Sequence, residues 1–170
     1  SAYMLHQIVR AYDGELPADI HVCFANTGKE REETLRFVHE CGTRWGVRVH
    51  WLEWRQREKP CFVEVGYNSA SRAGEPFAEL IRRKKWTPNS MARFCTEELK
   101  VRVLEEFAQS LGWTKWNSAI GLRYDEGHRV LKAFARNDEV RRPDVAVMPL
   151  SKAKVTKTVI AAFWAKQPFD

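Results

Sequence analysis

No run of residues in this chain approaches the roughly 18 apolar residues a membrane-spanning helix needs, so no membrane association is expected. The first residues show no basic-then-apolar pattern of a signal peptide. Cysteine is scarce: Cys23, Cys41, Cys61 and Cys95 are widely spaced, with no C-x-x-C pair. Five scattered histidines contain no H-x-x-x-H, so the spacing of a structural zinc site is missing. Reduced, mostly buried thiols in a cytoplasmic protein are the expectation. Internal repeats and low-complexity segments are absent. Charge of one sign is only in mild excess: 28 Lys and Arg stand against 22 Asp and Glu, a formal +6. That balance suits an anionic small ligand or nucleic acid, but it bears on solubility and steering rather than on fold.

What is present suits one domain over residues 1–170. Hydrophobic residues make up 44% and charged residues 29%, enough for a core and an ordinary surface. The chain is organised around Ile20 to Thr34. Ile20-His21-Val22-Cys23-Phe24-Ala25 is a β-rich run, Asn26-Thr27-Gly28 breaks it, and Lys29-Glu30-Arg31-Glu32-Glu33-Thr34 opens a helical pattern. In a parallel α/β sheet, ligands sit at the carboxyl ends of strands, where such turns lie. Helix N-termini there offer free N–H groups to anions.

Periodicity predicts a helix over Ser1 to Tyr12, with Met4, Leu5, Ile8 and Val9 on one face. A buried first helix in an α/β domain normally follows a strand, so the chain is expected to be cut at its front. A helix from Glu30 to Trp45 turns Leu35, Val38, Cys41 and Trp45 inward, and Gly46 stops it. Strands are expected over Val47 to Glu53 and Cys61 to Val65. Pro76 fits the first position of a helix running to about Lys85. Thr96 is expected to cap a helix carrying Leu99, Val103, Leu104, Phe107 and Leu111, closed by Gly112. Ser118 to Leu122 reads as a strand, Val130 to Ala135 as a short helix and Val145 to Met148 as a small strand. Thr156 caps a last helix. Strands alternating with helices imply an α/β fold with a mostly parallel sheet of four or five strands.

Three polar groups follow strand-like runs: Asn26-Thr27-Gly28, Cys95-Thr96-Glu97-Glu98-Leu99-Lys100, and Gly121-Leu122-Arg123-Tyr124-Asp125-Glu126 with Arg129 nearby. Each alone is ordinary. A glycine after a strand is more often structural than functional, a lone cysteine before a helix is usually a buried small residue, and an arginine near carboxylates is usually a weak surface ion pair.

Taken in order, the run Phe24-Ala25-Asn26-Thr27-Gly28-Lys29-Glu30 with Glu33-Thr34-Leu35, then Arg93-Phe94-Cys95-Thr96 with Leu99-Lys100, then Gly121-Leu122-Arg123-x-Asp125-Glu126-x-x-Arg129, then Met148-Pro149-Leu150, resembles the phosphoadenosine phosphosulfate (PAPS) reductase family. That family belongs to the PP-loop, adenine-nucleotide alpha-hydrolase-like superfamily, and the likeness is to its phage and bacterial members. The resemblance spans nearly the whole chain. It implies a Rossmann-like three-layer domain acting on ATP, by cleavage between the α- and β-phosphates and adenylation of an acceptor, or on PAPS.

The family's phosphate loop is S-G-G-x-x-S between the first strand and first helix. Only its last residue is present here, as Ser1, so the first strand and most of the loop are missing and the chain is expected to be a fragment, inactive by itself, whose sheet is gapped or split. By resemblance, Asn26, Thr27 and Gly28 would line the nucleotide pocket, and Arg123 would approach phosphate or sulfate oxygens. Gly121, Asp125, Glu126 and Arg129 would shape that loop, and an acidic member would hold Mg²⁺ if ATP is the substrate. Lys100 would add a positive charge. Cys95 stands where related enzymes hold an iron–sulfur cluster, although no second cysteine lies near it in sequence. Glu40-Cys41-Gly42 spells the catalytic motif of sulfonucleotide reductases, but inside a helix rather than at the C-terminus, and reads as coincidence.

A different class of function rests on Arg82-Arg83-Lys84-Lys85-Trp86, a basic run ending in an aromatic. It would contact nucleic-acid phosphates as part of a modification or phage-defence system. The plainer reading is a solvated helix end, where cations complement the macrodipole.

Overall fold

The computed structural model describes residues 2–56, 59–89, 94–138 and 142–169; the Ser1 assignment lies outside them. The described residues group into two compact units. One runs from Pro17 to Gly112, and the other combines the residues up to Leu16 with those from Trp113 onward. The architecture is mixed α/β with small sheets, and among the described residues two of the three strand pairings are parallel.

Helix α1 (Ala2–Ala11) belongs to the second unit; in the Pro17–Gly112 unit, β1 (Val22–Asn26) leads through α2 (Glu32–Arg44) to β2 (Val49–Trp54). β1 and β2 pair in parallel, Val22 with Val49 through Asn26 with Glu53. β3 (Phe62–Val65) adds antiparallel to β2, with Trp54 opposite Phe62. The side chains of β2 alternate between two faces. Leu52 and Trp54 join Leu80, Leu99, Val103 and Phe107 in one apolar cluster. Trp51 joins Leu35 and Ala70 in another. Each fully buried Leu or Val here contributes roughly 1.5–3 kcal/mol. Helix α2 packs through Leu35 and Cys41, with Glu32 and Glu33 in its first turn as the macrodipole favours. Gly42 lets the helix lie close to the following strand: a Cβ there would meet Val47 O at 3.0 Å and Val49 Cγ2 at 3.1 Å.

Helix α3 (Glu75–Lys84) carries Pro76 in its first turn, as expected. The following helical stretch differs from expectation. It comprises α4 (Phe94–Thr96), a π-helical turn (Glu97–Val101) and α5 (Arg102–Ser110). Thr96 has helical dihedrals (φ −67°, ψ −43°) and makes no side-chain cap, so it lies inside the helix rather than capping it. Leu99, Val103 and Phe107 are buried, while Leu104 and Leu111 are left 37% and 38% exposed.

In the second unit, β4 (Trp116–Ala119) and β5 (Asp144–Val147) pair in parallel as a separate two-stranded sheet. The described strands thus fall into two small sheets, one in each unit, rather than one sheet of four or five strands. β4 begins and ends earlier than Ser118 to Leu122, because its ladder is set by register with Asp144–Val147. Helix α6 (Gly127–Asn137) is longer than the expected Val130 to Ala135. The Asn137 side chain acts as a stub of strand: its Nδ2 donates to Ala146 O at 3.0 Å and its Oδ1 accepts from Ala146 N at 2.8 Å. Two further helices follow, α7 (Pro149–Lys152), which periodicity did not signal, and α8 (Lys157–Trp164). Thr156 occupies the N-cap position of α8 with extended backbone but without a side-chain cap. No described helix is long and apolar enough to cross a membrane.

Candidate functional site

The turn after β1 rests on a buried polar network. Asn26 is fully buried; its Nδ2 donates to Glu53 Oε1 at 2.7 Å and to Ser71 O at 2.9 Å, and its Oδ1 accepts from Gly28 N at 3.1 Å. Glu53, its partner in the β1–β2 register, is also fully buried. Besides Asn26, Glu53 accepts from Ser71 N at 2.6 Å, Ser71 Oγ at 2.8 Å and Arg55 Nη2 at 2.7 Å. A buried carboxylate survives only when paired and hydrogen-bonded in this way. The side-chain amide of Asn26 is therefore satisfied inside the protein, and it acts on the turn by holding Gly28.

Gly28 (φ +75°) and Gly74 (φ +90°, N-cap of α3) bring two turns into contact. A Cβ on Gly28 would stand 2.9 Å from Pro76 Cδ and 3.0 Å from Gly74 Cα. Only glycine suits both the left-handed backbone and this approach. Above them, Lys29 lies across Gly74 with Nζ at 3.5 Å from Ala73 O. Thr27 Oγ1 donates to Glu30 Oε1 at 3.1 Å, and Lys100 Nζ from the π turn reaches the same oxygen at 3.3 Å. The structure thus brings Thr27, Gly28 and Lys100 to one rim with Lys29 and Glu30. Next to it, Glu32 accepts from Arg72 Nε at 2.7 Å and from Tyr67 OH at 3.1 Å; the Arg72 hydrogen bond is the main reason the Glu32 carboxyl is held below its usual range.

Gly121, Arg123, Asp125, Glu126 and Arg129 lie in the other unit, in the loop after β4 and the start of α6. Arg123 Nε donates to Asp125 Oδ1 at 2.9 Å, and its Nη1 stands 3.4 Å from Glu126 Oε2. Glu126 also accepts from Arg123 N at 3.0 Å and pairs with Arg129. The Arg123 N–H is the largest influence lowering the Glu126 carboxyl. Asp125 Oδ2 accepts from Lys157 N at 3.1 Å. Both carboxylates are occupied by cations and backbone donors, so this pair as arranged does not suit Mg²⁺.

The thiols follow burial. Cys23 and Cys61 are pushed up to about 12, and Cys41 to about 11, chiefly by desolvation. Such thiols are protonated and poorly nucleophilic, which fits the reading of Glu40-Cys41-Gly42 as coincidence. Cys95 is half-buried and packs, like Cys23, against the apolar cluster that contains Cys61. Among the described residues no group of three or more His, Cys, Asp or Glu is placed to hold a metal ion.

Sequence reasoning missed a second polar cluster, at the amino end of the same sheet and on the face packed by α5. His21 Nδ1 stands 3.2 Å from His50 Nε2, His50 Nδ1 stands 2.9 Å from Glu64 Oε1, and Arg48 Nη2 reaches the same oxygen at 3.2 Å. Both rings lie against Phe107, at 5.9 and 4.7 Å between centroids. Neither Glu53 nor this cluster carries a local motif; the only signal was that polar residues interrupt strand-like runs. Two hollows lie elsewhere on the first unit, about 410 Å³ beside Glu97, Arg102 and Glu105 and about 310 Å³ beside His39, Gly42 and Val49; Thr27 and Gly28 line neither. No family model matches this chain, and no curated protein or solved structure matches it either.

Proposed function

We propose that this chain is a Rossmann-like adenine-nucleotide-binding domain of the PAPS reductase type, acting on ATP by α–β cleavage and adenylation of an acceptor, or on PAPS. One observation carries the reading: the Thr27-Gly28-Lys29 turn sits at the carboxyl ends of parallel β1 and β2, braced from beneath by Asn26 and Glu53. That is where ligands bind in open α/β sheets. The close Gly28–Gly74 approach locks the two turns together beneath the Thr27, Lys29 and Lys100 side chains. Lys29 and Lys100 supply the positive charge that a phosphate chain needs, Lys100 by exchanging its Glu30 contact for a phosphate oxygen. Thr27 offers a hydroxyl to the ribose or a phosphate. Arg123 plays the oxyanion role in its own loop, its guanidinium leaving Asp125 for the incoming anion.

Calorimetric titration of the protein with ATP, PAPS and, as a control, GTP tests this reading. Adenine nucleotides are expected to bind and GTP to bind more weakly. Lys100→Ala is expected to weaken ATP binding by about tenfold, as loss of one charge-assisted contact does. Pyrophosphate release would assign the ATP chemistry, and sulfite release with a thiol reductant the PAPS chemistry. Equal or no binding of all three ligands refutes the reading.

A further inference from the structure

The end of α3 holds more cations than a helix terminus calls for. Arg82, Arg83 and Lys84 fill its last turn, and Lys85 follows. Lys84 is taken up by Glu98 at 2.6 Å. Arg83 lies 6.0 Å from the centre of the Trp54 ring and still exposes its side chain to solvent. Arg82 and Lys85 are exposed, and neither forms an ion pair with a carboxylate among the described residues. Lys85 also sits in the left-handed region (φ +60°), where its N–H closes the helix on Ile81 O at 2.8 Å. Glycine is the favoured residue at such a position; here a lysine occupies it.

Beside these cations stands Trp86, 45% exposed, with its ring 4.5 Å from Phe94 at an interplanar angle of 54°. It is the only large apolar residue so exposed among the described residues of 75–96. A macrodipole accounts for cations at a helix C-terminus, but not for an indole held toward water and braced from behind by a second ring. Among the described residues of 75–96 no second large apolar side chain is exposed beside it, whereas insertion into a membrane interface or a protein contact uses several. An aromatic face flanked by arginine and lysine is the pattern for unpaired bases, whose faces stack while their phosphates meet the cations. In a duplex those faces are already covered.

We propose that Trp86 with Arg82, Arg83 and Lys85 is a contact site for single-stranded nucleic acid, in which one base stacks on the indole and neighbouring phosphates are neutralised by the three cations. The site is independent of the nucleotide rim at Thr27 and Gly28.

The test is fluorescence anisotropy of a labelled 12-nucleotide oligo(dT), and of a duplex of equal length, titrated with the protein between 50 and 300 mM salt. The wild type is expected to bind the single strand more tightly than the duplex. Replacing Arg82, Arg83 and Lys85 together by alanine is expected to flatten the slope of log K against log salt by about 2, three contacts at roughly 0.7 each. Trp86→Ala is expected to weaken single-strand binding about tenfold with the slope unchanged, and Trp86→Phe to restore most of it. Lys85→Gly guards against a folding artefact: it relieves the left-handed strain, so it should be at least as stable as the wild type while lowering the slope by about 0.7. Absent binding at 50 mM salt, an unchanged slope in the Lys85→Gly protein, or equal losses on duplex and single strand with Trp86→Ala would overturn the proposal. ATP binding by the triple variant separates this site from the nucleotide rim, because it should not change.

Discussion

At the carboxyl end of β1 and β2, the Glu53 carboxylate is fully buried and surrounded by the Asn26 amide, both donors of Ser71 and the Arg55 guanidinium. At the amino end of the same strands, Glu64 is partly open to solvent and reaches Arg48 and His50, which in turn meets His21. Both clusters pair a carboxylate with an arginine and reach a neighbouring strand, the first through Asn26 and the second through the Glu64 contacts with Arg48 and His50. They differ in depth and in chemistry. The first organises backbone: Ser71 N and O and Gly28 N all bond within it, so it fixes the shape of two turns. The second links side chains, the His21 and His50 imidazoles with Glu64 and Arg48. One end of the sheet thus fixes turns, while the other holds His21, whose imidazole is lowered from its ordinary value chiefly by burial.

The sharpest way to break this contrast is Glu53→Ala. It strands an arginine, an amide, a hydroxyl and a backbone N–H without their acceptor, and should cost roughly 3–5 kcal/mol. Urea unfolding would show it as a large fall in midpoint; a loss under about 1 kcal/mol would mean the network is decorative. Gly28→Ala comes next, at roughly 1–3 kcal/mol by urea unfolding, because it combines left-handed strain with a close approach to Pro76 and Gly74. Gly46→Ala (φ +63°, with nothing within 4 Å of the added Cβ) is its control and should lose only about 1 kcal/mol.

The amino-end cluster is tested by pH. Burial is the main cause lowering the His21 imidazole from its ordinary 6.5, with His50 and Arg48 adding to it and Asp19 opposing. The folded state therefore holds fewer protons than the unfolded one in the window just below 6.5. Stability is complete above that value and falls as the pH drops through it. Unfolding midpoints at pH 7.5 and 5.5 should differ in that direction, and His21→Gln should reduce the difference, whereas Gly46→Ala should leave it intact. The smallest effect belongs to Arg72→Ala. The Arg72–Glu32 pair is well formed at 2.7 Å but lies at the surface, so its loss should stay within about 1 kcal/mol.

Much of the secondary structure was legible because apolar spacing follows the geometry of each element. Leu35 and Cys41 mark the inward face of α2, and Val103 and Phe107 that of α5. The turn at Asn26-Thr27-Gly28 was legible too, since glycine after a β-rich run signals a left-handed position. The π turn was not, because Leu99 and Val103 have the same four-residue spacing in an α-helix. Nor was Glu53 read as a partner of Asn26. The two lie 27 positions apart, and only strand register makes them neighbours.

By itself, then, the order of residues determined where the chain turns helical or extended, which positions face inward and where glycine must bend the backbone, because those are short-range consequences of side-chain shape and polarity. Only the tertiary structure decided that Asn26, Glu53, Arg55 and Ser71 share one buried site, that His21, His50 and Glu64 share another, and that Lys100 reaches Glu30. Those meetings depend on register and packing between distant segments, and a charge or imidazole acquires its partners only once the sheet has brought them together.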